Sequence, residues 1–162
     1  PPAVTAPPAV PPSRPPARAP SVRIEVPSPP PSPRCDTSDP LRTESLSRVE
    51  KGDAAARQGR MQQAVDEYRA ALTLDRCNGY AWAALGAIAG WSDQPEQAAD
   101  ALAQAVRILP RHYNAWTDLG AAYEALGRVE QAREAYRAAL KARPGHQPAQ
   151  EALDRLDRAR GP

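Results

Sequence analysis

Apolar residues recur at helical spacing through most of the chain after residue 40, and polar residues occupy the other faces. The clearest stretch runs from Tyr113 to His146 and divides at Gly127 into two amphipathic segments. Its large apolar side chains are Trp116, Leu119, Tyr123 and Tyr136, and its small residues include Gly120, Ala132 and Ala139. Two such segments separated by a glycine predict a pair of antiparallel helices.

The same pattern occurs three times at an interval of 34 residues, in the ranges 45–78, 79–112 and 113–146. The second copy matches the third at Trp82, Leu85, Gly86, Ala98, Ala105 and Pro110. The first copy keeps Gly52 and Tyr68 but lacks the Trp, Leu and Pro. One helix pair cannot bury its apolar face alone, and stacked pairs are stable from about three repeats upward.

This arrangement resembles the tetratricopeptide repeat family, whose signature has Trp, Leu, Gly, Tyr, Ala and Pro at these places. The resemblance implies an all-α fold, a three-repeat solenoid of antiparallel helix hairpins. Residues 147–159 carry Ala149, Leu153 and Leu156 on one face, which predicts a C-terminal capping helix. The predicted repeat domain spans residues 40–162.

Residues 1–39 form a proline-rich arm by composition, since 15 of the 20 prolines lie before residue 41. Such a segment cannot build a packed core and favours an extended tether of about 3.1 Å per residue. Val22, Ile24 and Val26 alternate with polar residues, which predicts a short strand at residues 21–26. Two interpretations remain open: a hydrophobic interruption in a linker, or a strand that docks onto another protein or subunit.

The two cysteines flank the first predicted hairpin. Cys35 precedes its first helix and Cys77 follows its second, so antiparallel helices would bring both to one end. We expect a disulfide bond between them, with two unrelated free thiols as the alternative. Because such bonds persist outside the reducing cytoplasm, the bridge predicts an extracytoplasmic location: the bacterial periplasm, the envelope or the extracellular space. Two free thiols would instead indicate a cytoplasmic adaptor, which stays open as the alternative.

Catalytic and metal-binding patterns are missing from the sequence. His112 and His146 each take the last position of a repeat, which predicts exposed turn residues, and neither has a metal-ligand or nucleophile spacing. We therefore expect a protein that is not an enzyme and uses no metal or cofactor. The net charge of +2 is spread without a basic stripe, which disfavours nucleic acid, and no apolar run is long enough to span a membrane.

The family resemblance also implies a partner-binding groove along the first helix of each repeat. Mapped onto this sequence, the groove residues are Val49, Asp53, Arg57, Tyr80, Ala83, Ala87, Trp91, Asn114, Thr117, Ala121 and Glu124. In the middle of the groove the residues are small, which lets a partner backbone approach closely.

One subfamily grips the carboxyl terminus of heat-shock chaperones through Lys, Asn and Arg at five positions on the first helices of its repeats. Here those positions hold Val49, Asp53, Ala84, Asn114 and Asp118. Two acids in place of cations or donors repel a carboxylate, so we do not expect this activity.

These observations predict a non-enzymatic scaffold that binds a protein segment, either a peptide or a partner helix, in its groove. The alternative is a structural subunit of an extracellular or envelope assembly, a homo-oligomer in which the arm docks onto a neighbouring copy. In that case Val22, Ile24 and Val26 are the docking residues.

Overall fold

A computed structural model describes residues 24–27 and 41–160. It contains seven helices: α1 Leu41–Arg57, α2 Met61–Leu74, α3 Gly79–Trp91, α4 Pro95–Ile108, α5 Tyr113–Ala125, α6 Val129–Ala142 and α7 Gln147–Arg160. The described residues include no strand, which confirms the all-α prediction for this part of the chain. None of the described helices is long and apolar enough to cross a membrane.

The helices pack as successive hairpins. Within hairpins, α1 contacts α2, α3 contacts α4 and α5 contacts α6; between hairpins, α2 contacts α3 and α4 contacts α5. Helix α7 packs on α6 at the end of the array. The first helices of the second and third hairpins also contact each other directly, α3 against α5. The fold is therefore a stack of three hairpins closed by a seventh helix.

Trp82 and Trp116, at equivalent positions, hold the second and third hairpins to the loops that precede them. Trp82 is fully buried, and its indole N–H donates to the carbonyl oxygen of Arg76 at 2.8 Å. Trp116 is half-buried, and its N–H donates to Pro110 at 2.9 Å. Each large side chain thus finds both an apolar environment and a hydrogen-bond acceptor.

The turn inside the second hairpin differs from the other two. Gly59 and Gly127 follow α1 and α5 with φ of 73° and 70°, whereas the second hairpin has Asp93 at φ 57°. Only glycine adopts this left-handed backbone without steric cost, so Asp93 is strained. The N-cap of α4 is Gln94, whose side chain makes no capping hydrogen bond.

The last residue of a repeat is a helix cap. Asn78 accepts a hydrogen bond from the backbone N–H of Ala81 at 3.1 Å, and His112 Nδ1 accepts from Ala115 at 3.1 Å. His112 is half-buried, so the prediction of an exposed turn residue was wrong. His146 is also half-buried, with its ring edge-on to Tyr113 at 4.8 Å between centroids.

Helix α7 is held by a buried cation. Arg133 of α6 is 3% exposed and donates to the carbonyl oxygen of Leu156 at 2.6 Å and to the carboxylate of Asp157. Ala149 and Leu153 of α7 complete a hydrophobic cluster with α6. The helix therefore covers the last hairpin, as the amphipathic pattern predicts.

The described part of the arm contacts the repeat domain of its own chain. Residues 24–26 are not a strand, contrary to prediction. Ile24 is 2% exposed within the hydrophobic core, and its backbone N–H donates to Gln94 Oε1 at 3.2 Å. Glu25 pairs with Arg69 of α2 at 3.6 Å, and Val26 packs against the same core. Val22 lies outside the described residues.

The structure describes one of the two cysteines of the predicted disulfide bond. Cys77 takes part in a disulfide bond. Its predicted partner, Cys35, lies outside the described residues, so the pairing of the two stays a prediction.

Candidate partner-binding pocket

A pocket of about 300 Å³ lies between α3 and α5, and we refer to it as the α3–α5 pocket. It is lined by Gly86, Ala87, Gly90, Trp91, Asp93, Pro95, Leu102, Asp118, Ala121, Ala122 and Ala125. Most of these residues carry no side chain beyond a methyl group, so the two helices leave a gap where larger residues would fill it. Trp91, which is half-buried, supplies the larger apolar surface.

Asp118 gives the pocket its chemical character. The carboxyl group is half-buried, and its loss of contact with water raises its pKa from 3.8 to about 6. Within the described part of the chain, no hydrogen bond or ion pair compensates this group. Asp93 adds an exposed carboxylate at the pocket, and no basic residue is among the lining residues. The pocket therefore combines an apolar wall with uncompensated negative charge.

Three of the predicted groove residues line this pocket: Ala87, Trp91 and Ala121. Four more lie half-buried on the same two helices: Tyr80, Ala83, Asn114 and Thr117. Two of these make local contacts. The Tyr80 ring lies edge-on to His112 at 5.8 Å between centroids, and Thr117 Oγ1 donates to the backbone oxygen of Tyr113 at 3.0 Å.

The predicted groove along α1 is largely internal. Val49 and Asp53 are 2% and 4% exposed, so the structure places both side chains inside the domain, and their contact with a partner stays a prediction. The Tyr68 hydroxyl donates to Asp53 at 2.6 Å, and burial raises the pKa of this carboxyl group. Arg57 is exposed at the end of the helix.

Glu124, predicted as a groove residue on α5, serves the packing of the last hairpin. Its carboxylate accepts a hydrogen bond from the Tyr136 hydroxyl and pairs with Arg155 of α7 at 2.7 Å. The sequence contains a signal for the internal role of Asp53 and Glu124. Repeats one and three have tyrosine in the second helix and an acid on the facing first helix, whereas repeat two has Leu102 and no acid there.

The described residues contain no candidate metal site, because no group of three or more His, Cys, Asp or Glu side chains among them is placed to hold an ion.

Stacked hairpins with these spaced glycines, tryptophans and tyrosines define a helical repeat protein. A family model for the tetratricopeptide repeat matches residues 45–89 and 92–146. The chain belongs to the tetratricopeptide repeat family, which confirms the resemblance seen in the sequence.

Solved structures share this fold. The TPR domain of Arabidopsis OM64 superimposes with a TM-score of 0.68 at 27% identity, covering 73% of this chain and 98% of that one. The Sgt2 TPR domain from Aspergillus fumigatus gives 0.65 at 27% identity, covering 72% and 78%. The first TPR of Spaghetti, bound to the HSP90 peptide SRMEEVD, gives 0.70 at 23% identity, covering 75% and 96%. No curated protein sequence matches the chain.

Proposed function

We propose that this protein is a non-enzymatic interaction scaffold that holds an extended segment of a partner protein between α3 and α5. The observation that carries the proposal is the α3–α5 pocket, where two helices lined by alanine and glycine stand apart around an open volume of about 300 Å³. Ligand-binding sites are typically concave, mostly apolar clefts of about 300–1,000 Å³.

The family and its relatives support a protein partner. Tetratricopeptide repeats stack into extended surfaces that bind peptides and helices. The Spaghetti domain holds an acidic peptide, SRMEEVD. In this chain the α3–α5 pocket is lined by Asp118 and Asp93, so we expect a partner of different charge.

The location proposed for this scaffold is extracytoplasmic, in a bacterial envelope or outside the cell. The disulfide bond at Cys77 supports this, because such bonds are rare in reducing compartments. Mass spectrometry of alkylated protein from its native compartment tests the proposal. Alkylation of Cys35 and Cys77 without prior reduction would contradict it.

Peptide selection on the immobilised full chain tests the scaffold function. We expect selected peptides that bind the wild type and lose binding in Ala121→Gln, where a longer side chain fills the pocket. The matched control is Ala159→Gln, at an exposed site on α7 that does not line the pocket. Peptides that bind both variants equally, or no selected peptide at all, would contradict a binding role for this pocket.

A second candidate is a structural subunit in which the arm of one copy docks onto the next. The burial of Ile24 favours it, because the repeat domain offers a site that accepts an arm residue. Exchange between copies would place a neighbour's Ile24 in that site and form oligomers. Light scattering of the full chain and of Ile24→Ser separates the candidates, since only the second predicts large species that the substitution abolishes.

A further inference from the structure

We propose that the α3–α5 pocket binds the side chain of a lysine or arginine in the partner segment. This inference rests on the proposed scaffold function and adds the chemistry of the partner. It starts from Asp118, a half-buried acid that contacts no cation or hydrogen-bond donor in the described part of the chain.

An acid in this position is costly unless a ligand pairs with it. Removal of water from an ionised carboxylate is unfavourable, and an opposite charge within hydrogen-bond distance offsets the cost. The pKa of Asp118, raised to about 6, still leaves the group mostly ionised at neutral pH. A cationic side chain is the group that this carboxylate lacks.

The walls of the pocket fit the rest of such a side chain. Lysine and arginine carry an aliphatic stem that packs along apolar surface while the charged head reaches a polar group. Ala121 and Ala125 are exposed and offer this apolar surface in the pocket that Asp118 lines. Trp91 adds an aromatic surface, which favours cations, and the exposed Asp93 adds a second negative charge.

The negative charge of the pocket favours a basic segment over acidic or neutral segments of similar shape. Acidic segments are repelled by two carboxylates with no lining cation, and neutral segments leave Asp118 unpaired. The described arm residues do not fill the pocket, since Ile24 and Glu25 contact Gln94 and Arg69 and neither lines it. We therefore assign the cation to the partner protein.

The test uses the full chain and the selected peptides. We expect them to be enriched in lysine or arginine, and to bind Asp118→Asn at least ten-fold more weakly than wild type, about 1.4 kcal/mol. Asp100→Asn, which removes an exposed acid on α4, should leave the affinity within about two-fold. Replacing the peptide lysine by norleucine should weaken binding to wild type by the same factor as Asp118→Asn, and leave binding to Asp118→Asn unchanged.

The other possible results distinguish failure of the cation inference from failure of the scaffold function. Peptides that need Ala121 but carry no basic residue, or that bind Asp118→Asn equally well, overturn the cation inference and leave the scaffold function standing. Selection of nothing sensitive to Ala121→Gln overturns the scaffold function itself. An Asp118 pKa, measured by carboxyl-carbon NMR, that rises when Arg14, Arg18 and Arg23 are changed to Gln shows that the arm occupies the pocket, which overturns assignment to a partner.

Discussion

Gly120 of α5 and Tyr136 of α6 pack so closely that no side chain fits at residue 120. A Cβ atom there would lie 2.5 Å from Tyr136 Cε1. The other two hairpins repeat this contact, between Gly52 and Tyr68 and between Gly86 and Leu102. The spaced glycine and the large residue 16 positions later are therefore one packing unit, and this unit recurs at the 34-residue period.

Gly120→Ala should destabilise the domain by about 1–2 kcal/mol, because crowding against the Tyr136 ring exceeds the gain in helix propensity. Urea unfolding followed by circular dichroism measures the change. Gly90→Ala is the control, because a Cβ atom at residue 90 would meet only Ala98, at 3.9 Å. This substitution should stabilise α3 by up to about 1 kcal/mol. Equal effects at the two glycines would contradict the packing interpretation.

Asn78→Ala should cost about 2 kcal/mol, because it removes a helix cap and a buried hydrogen bond together. The Asn78 side chain accepts from Ala81 N–H at 3.1 Å and donates to Ser45 Oγ at 2.8 Å, and Ser45 is fully buried. Denaturant midpoints measure the loss. Asn114→Ala, at a half-buried site on α5, should change stability by less than about 0.5 kcal/mol. A similar loss in both variants would argue against the buried network.

His112→Asn should flatten the pH dependence of stability between about pH 7 and 5. Burial lowers the pKa of His112, so the native state prefers the neutral ring that caps α5. A lowered histidine pKa gives stability that is complete above the unfolded-state pKa and is lost as pH falls below it. Asparagine caps α3 at the equivalent position and does not titrate there.

Thermal melts of wild type and His112→Asn at pH 7.5 and pH 5 check this prediction. His112→Ala is the control for the cap itself, and it should be less stable than wild type by about 1 kcal/mol at pH 7.5. If wild type and His112→Asn lose equal stability on acidification, the cap does not depend on the neutral ring.

Asp118→Asn should stabilise the unliganded domain at pH 8 by about 1–3 kcal/mol and make no difference near pH 3. The sign follows from the raised pKa. The native state holds the Asp118 proton more tightly than the unfolded chain, so the wild type loses stability as pH rises from about 4 to about 6. Unfolding curves across pH 3–8 measure it, with Asp100→Asn as a control that should show no such gain. A gain in stability combined with a loss in binding marks a functional residue rather than a packing residue.

The sequence predicts the fold well because the repeat pattern is itself the packing pattern. Glycine and a large residue 16 positions later meet across each hairpin. The groove is less predictable, because surface mapping by position assumes that every first helix faces the partner alike. Asp53 shows the failure, since the Tyr68 hydroxyl holds it in the core. A facing tyrosine and acid in the same repeat were the available signal.

Two other features depend on tertiary contacts that no local pattern contains. Desolvation of Asp118 requires that α3 approach α5, and helical periodicity does not report the gap between two repeats. Ile24 follows an alternating pattern that is typical of a strand, yet its environment is a helical core. The alternation correctly identified apolar residues that need burial, but not the surface that buries them.

Ile24→Ala should destabilise the repeat domain by about 2 kcal/mol, because a side chain 2% exposed leaves a cavity when truncated. The substitution also weakens the hydrogen bond that the backbone N–H of residue 24 donates to Gln94. The arm should therefore become more sensitive to protease. Glu25→Gln is the control. Its ion pair with Arg69 is largely exposed, and the change should alter neither stability nor cleavage measurably. If Ile24→Ala unfolds at the wild-type urea concentration, the arm does not contribute to the folded core. If it unfolds earlier and the wild type is monomeric at every concentration, the arm stabilises its own domain rather than a neighbour.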